Sequence, residues 1–162
     1  MSDIRILDAC CGSRMFWFDK NESHTTYMDI RSEELAFIDR GNVRHSSVKP
    51  DIVADFRSMP FEDNTFNLIV FDPPHLLNGG QNSWLVKKYG KLDKDNWKSD
   101  ISKGFDECMR VLKVGGTLVF KWSDVQVNVK EVLELLQQRP LFGQQRGTTH
   151  WMTFVKFPKE VE

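Results

Sequence analysis

Four consecutive residues, Asp72, Pro73, Pro74 and His75, have the types and the order needed for chemistry on an amino nitrogen. The prolines remove two backbone donors and stiffen the chain, which leaves the carbonyl of Pro73 free to accept. That carbonyl and the Asp72 carboxylate can hold both protons of an NH2 group, aim its lone pair and stabilise positive charge developing on nitrogen. The ring of His75 can stack on the planar group that carries the amine. A simple Pro-Pro turn after a strand is the alternative interpretation.

Asp72 is the last of four acids that each end an apolar, strand-like stretch. The stretches cover 4–8, 25–29, 51–55 and 66–72, and the acids are Asp8, Asp29, Asp55 and Asp72. In open parallel α/β sheets, ligands bind outside the carboxyl ends of the strands. Although aspartate is common in turns after strands, four in series predict a binding crevice along one edge of a sheet.

The first acid opens a turn of small residues at 8–13, which includes Ala9, Cys10 and Gly12. Small side chains let the backbone approach a ligand closely, and glycine adopts dihedral angles that other residues avoid. The turn has neither the Gly-x-Gly-x-x-Gly of dinucleotide-binding proteins nor the Gly-Lys-Ser/Thr of a phosphate-binding loop, so a nucleoside triphosphate is not expected. Asp29 lies 17 positions beyond Gly12, near the spacing at which an acid holds ribose hydroxyls in nucleotide-binding folds.

The third acid is followed directly by an aromatic residue, in the pair Asp55-Phe56. A carboxylate can accept a hydrogen bond from the amino group of adenine while a neighbouring ring packs on the face of the base. Packing in the core is an equally reasonable alternative for Phe56.

The remaining segments alternate between helical and strand periodicity. Predicted helices cover 101–112 and 127–138, and further predicted strands cover 117–122, 141–145 and 150–157. Gly115 and Gly116 would end the first of these helices, and Pro140 follows the second. Shorter crossovers are expected at 14–24 and 32–49. The alternation predicts one α/β domain over 1–162, with a parallel sheet and an antiparallel C-terminal hairpin.

Composition limits the classes of partner and the compartment. The formal net charge of −1 gives no overall attraction to nucleic acid, so a polyanion would need a local basic patch. The three cysteines form no spaced Cys/His framework for zinc or disulfides, and we expect reduced thiols and no metal. No signal-peptide pattern and no apolar run of about 18 residues is present, so the sequence predicts a cytoplasmic protein without a membrane partner.

Taken together, these residues resemble the class I, Rossmann-like, S-adenosylmethionine-dependent amino-methyltransferases with an (Asp/Asn/Ser)-Pro-Pro-(Tyr/Phe/Trp) motif, including small N6-adenine and N4-cytosine types. The resemblance spans essentially the whole chain. It implies a seven-stranded, mostly parallel sheet with helices on both faces, and S-adenosylmethionine as cofactor. The cofactor residues it implies are Asp8, Ala9, Cys10, Gly12, Asp29, Asp55 and Phe56, and the catalytic residues are Asp72, Pro73, Pro74 and His75.

Three features depart from the family pattern. The first turn has one glycine, Gly12, where the family often has two or three, and His75 stands where the family has a larger aromatic ring. A histidine at this position could titrate near neutral pH. The sequence also starts directly at the first strand, without the preceding helix that often helps to cover the cofactor, which leaves room for a partner chain.

A long insertion at 76–100 is expected to contribute to the substrate site. It carries five lysines against three aspartates, interleaved with Trp84, Tyr89 and Trp97. Lysines mixed with exposed aromatic residues suit single-stranded nucleic acid, through phosphate attraction and base stacking. A solvated lid whose aromatic residues fold back over the site is the alternative.

The sequence thus predicts methyl transfer to an exocyclic amino group of a nucleobase in DNA or RNA, with adenine N6 favoured. The insertion is too short for an independent recognition domain, so a protein partner could supply recognition. Two alternatives stay open. One is a methyltransferase that acts on a protein amide or a small-molecule amine, and the other is a catalytically silent subunit with the same fold.

Overall fold

The structure is a computed structural model that describes residues 3–161. Its elements, in chain order, are β1 (Ile6–Asp8), β2 (Thr25–Asp29), β3 (Glu33–Asp39), β4 (Asn42–Val48), β5 (Ile52–Val53), β6 (Phe66–Phe71), α1 (Trp84–Tyr89), α2 (Trp97–Val111), β7 (Leu112–Ser123), α3 (Val129–Glu134), β8 (Phe142–Arg146) and β9 (Thr149–Val155).

Seven strands form one sheet in the order β5-β2-β1-β6-β7-β9-β8. The first five strands in this order are parallel, and β9 is antiparallel to both β7 and β8. The predicted mostly parallel α/β sheet with an antiparallel C-terminal hairpin is confirmed. The chain leaves β1 toward β2 on one side and returns to β6 on the other, so the strand order reverses between β1 and β6. Ligands of doubly wound sheets bind at such a switch point.

One hydrophobic core holds the sheet against α2 and α3. Alternate residues of β7 point to opposite faces of the sheet, and Leu118, Phe120 and Trp122 are fully or almost fully buried, whereas the residues between them are half-exposed. Ile101 and Phe105 of α2 meet this face. The predicted helix at 101–112 begins earlier, at Trp97. The predicted glycine stop lies instead inside β7, where a register shift separates Leu112 from Thr117.

Segment 32–49, for which the sequence predicts a short crossover, forms the antiparallel hairpin β3–β4. Its two loop residues, Arg40 and Gly41, both have positive φ angles of 49° and 79°. Positive φ at both central residues is the geometry of the tight hairpin turns whose twist matches that of the strands. Because the turn sequence is Arg-Gly, and not the usual Asn-Gly or Asp-Gly, the local signal was weak.

Aromatic residues of a loop at 13–20 cover the face of the sheet opposite α2, near β1, β2 and β9. A helix was expected in this part of that face. The ring of Trp17 meets Tyr27 of β2 edge-on at 5.3 Å, and the ring of Phe16 meets Trp151 of β9 at 5.6 Å. Arg14 lies 3.7 Å above the ring of Tyr27 and holds this loop in place. Across residues 3–161, no helix combines the length and apolar character needed to cross a membrane.

Candidate active site

A cavity of about 1060 Å³, counted with its open mouth, lies at the carboxyl ends of the central strands. Nine of the eleven predicted site residues line it: Ala9, Cys10, Gly12, Asp29, Phe56, Asp72, Pro73, Pro74 and His75. Two of the predicted cofactor residues, Asp8 and Asp55, do not.

The first turn is held by the acid that ends β2. The backbone N–H of Gly12 donates to Oδ2 of Asp29 at 2.9 Å, and the N–H of Cys11 donates to the carbonyl of Met28 at 2.8 Å. Gly12 has φ 49°, a left-handed conformation that residues with a side chain rarely adopt. The backbone conformation of this turn, which lines the cavity, therefore favours glycine at position 12.

Asp29 uses both oxygens to organise the backbone around it. Oδ1 accepts from the backbone N–H of Arg31 at 2.9 Å and from Nε of Arg31 at 3.4 Å, and Oδ2 accepts from Gly12. An ionised carboxylate has about four acceptor sites, so capacity remains for the hydroxyl groups of a ligand. Its neighbour Ile30 is exposed and lines the same cavity.

Asp8 lies behind the cavity wall. Its side chain is fully buried, and its oxygens accept from Nε1 of Trp17 at 2.7 Å and from the N–H of Cys10 at 3.3 Å. Burial raises the pKa of this carboxyl from 3.8 to about 7, although the Trp17 hydrogen bond opposes the shift. Asp8 therefore anchors the loop at 13–20 to the end of β1.

Asp55 is turned away from the cavity toward an arginine. Arg57 donates to both of its oxygens, at 2.6–3.0 Å, and reaches Asp100 of α2 at 3.1 Å. The hydrogen bonds from Arg57 lower the pKa of Asp55. The adjacent Phe56 does line the cavity, and its ring packs edge-on against Phe71 at 5.3 Å.

Asp72 follows the last residue of β6, and Lys121 of β7 contacts it. Nζ of Lys121 donates to Oδ2 of Asp72 at 3.1 Å. Burial raises the pKa of the Asp72 carboxyl, whereas the charge and hydrogen bond of Lys121 lower it. Within residues 3–161, Oδ1 of Asp72 has no hydrogen-bond partner. One carboxylate oxygen is therefore available to a ligand.

His75 lies between two other aromatic residues. Its ring is tilted against Tyr89 at 5.9 Å and meets Trp122 edge-on at 6.4 Å. Burial lowers the pKa of His75, and the nearby Lys121 lowers it further. The lowered pKa favours the neutral imidazole, which presents a flat ring.

The insertion at 76–100 is closed at its base and packed against the β3–β4 hairpin. The N–H of Leu92 donates to the carbonyl of Leu76 at 2.8 Å. Nη1 of Arg31 donates to the carbonyl of Lys87 at 2.9 Å, and the rings of Phe37 and Trp84 stack at 6.3 Å. Helix α1 of the insertion is thereby held beside the cavity, close to the acid Asp29.

Four further residues line the cavity that no sequence pattern predicted as site residues: Phe16, Ile30, Arg31 and Lys121. A lysine inside the otherwise apolar strand at 117–122 was the available signal for Lys121, because a cation in a buried strand needs a partner. The other three lie in connections between strands, where no periodic pattern shows which way a side chain points.

Comparison with known proteins gives structural relatives only. No protein-family model matches the sequence, and no curated protein matches it significantly. Among solved structures, N-methyltransferase NodS from Bradyrhizobium japonicum has a TM-score of 0.57 at 14% identity, covering 96% of this chain and 86% of its own. A protein of Methanococcus maripaludis, described as an S-adenosyl-L-methionine-dependent methyltransferase, has a TM-score of 0.56 at 14% identity, with coverage of 100% and 81%. The chain has the Rossmann-like fold of these methyltransferases.

Proposed function

We propose that this chain is an S-adenosylmethionine-dependent N-methyltransferase whose acceptor is the exocyclic amino group of a nucleobase, with adenine N6 favoured. The observation that carries the proposal is the free Oδ1 of Asp72 at the switch point of the sheet. Asp72 and Pro73 line one cavity together with the glycine turn and Asp29.

The residues at the β1 and β2 end of the cavity fit the cofactor. Asp29 has acceptor sites left for ribose hydroxyls, and Ile30 and Phe56 supply apolar surface for an adenine ring. The backbone of the Gly12 turn offers a close approach without a side chain. Bound there, S-adenosylmethionine would supply an electrophilic methyl group on a positively charged sulfur.

Asp72 and Pro73 would orient the acceptor. Oδ1 of Asp72 and the carbonyl of Pro73 can each accept one N–H, which directs the nitrogen lone pair toward the cofactor end of the cavity. The negative charge of Asp72 stabilises positive charge on nitrogen as the new bond forms. Lys121 lowers the pKa of Asp72 against the effect of burial, and so favours the ionised form that this role needs.

A flat acceptor is supported by the neutral ring of His75 and by the adjacent Tyr89. Rings stack on the faces of bases, whereas an aliphatic amine offers no such face. The insertion at 76–100 contributes Tyr89 together with Lys88 and Lys91 to the cavity wall. We propose that this segment forms the substrate side of the site.

Methyl transfer from labelled S-adenosylmethionine to adenine-containing RNA and DNA oligonucleotides, with a protein extract as a parallel acceptor, tests the proposal. We expect labelled N6-methyladenine. Transfer to protein alone would reject the nucleobase acceptor in favour of an amide or amine. Calorimetry with the cofactor separates an enzyme from a silent subunit, because a silent subunit should give no binding heat.

Replacement of the central acid tests its assigned role. We expect Asp72→Ala to lower transfer by at least about 10²-fold, the effect typical of losing an oriented group that stabilises transition-state charge. Cofactor affinity should stay nearly intact, because the first turn and Asp29 do not depend on Asp72. If affinity and turnover fell together, Asp72 would belong to the cofactor site.

A further inference from the structure

A continuous series of rings and cations leads out of the cavity along α1. His75 is tilted against Tyr89, and Nζ of Lys88 lies 5.2 Å from the ring of Tyr89 and 5.9 Å from that of Trp84. Trp84 stacks in turn on Phe37 of the β3–β4 hairpin, with the two ring planes only 21° apart. These contacts join the catalytic motif to a surface at the mouth of the site.

The cations on this surface differ from the others that line the cavity. Arg31 is bound to Asp29, and Lys121 is bound to Asp72. Among residues 3–161, Lys88 and Lys91 have no carboxylate within 4.0 Å, although both line the cavity. Two lysines without a salt bridge thus stand in the cavity wall, although Lys91 lies near enough to Asp93 to add to the backbone hydrogen bonds that lower the pKa of that carboxyl.

The aromatic rings along α1 and the adjacent hairpin are accessible to a ligand. Trp84 is 38% exposed, and Tyr89 and Phe37 are half-exposed. A tryptophan that already stacks on another ring has its orientation set by the protein. A base that stacks on it therefore costs little additional side-chain entropy. Nucleic-acid strands are bound by this combination of stacking rings and lysines, because each nucleotide offers a flat base and a phosphate.

We propose that the platform formed by Trp84, Lys88 and Lys91 binds the nucleotides that flank the acceptor base in a single-stranded nucleic acid. The proposal rests on the proposed function, since it takes the acceptor at Asp72 to be a nucleobase. A second groove beside α1 is a poorer path for the strand, because Glu33 and Glu34 there offset the cations Arg31 and Lys87 and leave no net positive charge to attract phosphates.

Binding of a fluorescent single-stranded oligonucleotide, measured by anisotropy over a range of salt concentrations, tests the platform without relying on turnover. DNA and RNA oligomers of the same sequence serve as separate arms, and a duplex serves as a third. We expect the double variant Lys88→Gln/Lys91→Gln to bind about tenfold more weakly at low salt. Each phosphate contact to a single strand contributes about 0.7 to the slope of log affinity against log salt, so the slope should fall by about 1.4.

The matched control is Lys103→Gln/Lys130→Gln, which removes the same charge from exposed lysines of α2 and α3 that lie outside both the insertion and the cavity wall. We expect this control to keep the salt slope of the unmodified protein. Trp84→Ala should weaken binding roughly tenfold through lost stacking, and Trp84→Phe should restore most of it. Circular dichroism of each variant verifies that it is folded.

The outcomes separate the two proposals. Oligonucleotide binding that depends on Lys88 and Lys91, without any methyl transfer to the oligonucleotide, would support the platform and reject the proposed function. Transfer to oligonucleotides with an unchanged salt slope in the Lys88→Gln/Lys91→Gln variant would reject the platform and keep the proposed function. If the protein binds no single-stranded oligonucleotide, or binds the duplex more tightly, the platform proposal is rejected.

Discussion

Replacing Asp8 by asparagine should stabilise the folded protein at neutral and alkaline pH. The Asp8 carboxyl is fully buried, and burial raises its pKa from 3.8 to about 7. A folded state that binds a proton more tightly than the unfolded chain loses stability as pH rises from about 4 to about 7, and the loss is complete above that range. A difference of about 3 pKa units, at 1.36 kcal/mol each, corresponds to about 4 kcal/mol. Asparagine keeps the shape and an acceptor for Trp17, and it carries no charge.

Urea unfolding of the unmodified protein and of Asp8→Asn, followed by circular dichroism across pH, measures this effect. We expect the variant's advantage in free energy of unfolding to grow by roughly 3 kcal/mol between about pH 5 and about pH 8. Trp17→Phe removes the indole donor at 2.7 Å, which should raise the carboxyl pKa further and extend the falling limb to higher pH. Parallel stability curves for the unmodified protein and Asp8→Asn would refute the reasoning, because they would mean that the buried carboxyl does not titrate between these values.

Substitutions at three further positions, with a control for the first, probe the cavity and the residues that support it. Gly104→Ala places a Cβ 2.5 Å from the ring of Phe56 and 2.8 Å from that of Phe71. The free energy of unfolding should therefore fall by about 1–3 kcal/mol, and calorimetry should show weaker cofactor binding. The control Gly80→Ala, where a Cβ meets nothing within 4 Å, should change neither quantity. Lys121→Met removes the cation that lowers the pKa of Asp72, so the acid limb of the pH profile of kcat/KM should move to higher pH. Lys121→Arg should return the limb to its original position. An acid limb that does not move in Lys121→Met would mean that Lys121 does not control the ionisation of Asp72. His75→Phe should keep transfer, whereas His75→Ala should lose about 1–3 kcal/mol of stacking; a rate lost equally in both variants would point to a specific need for the imidazole.

Much of the sheet could be predicted from local patterns. The ends of β2 and β6, and the hairpin near the C-terminus, follow from apolar stretches bounded by acids, prolines and glycines. The Asp-Pro-Pro-His segment needed no partner to be noticed, because proline restricts its own backbone wherever it occurs. Segment 32–49 could not be assigned, because its Arg-Gly turn is an uncommon sequence for a two-residue hairpin loop.

The sequence by itself determined which residue types end the strands, and so which groups reach the cavity edge of the sheet. Only the tertiary structure decided which of these acids face the cavity. Trp17 encloses Asp8 and Arg57 turns Asp55 aside, whereas Asp72 keeps one oxygen free and gains Lys121, 49 positions away, as its partner. The physical reason is that a carboxylate's role depends on its burial and on the donors around it. Those donors come from segments that are distant in the chain and meet only when the sheet is assembled.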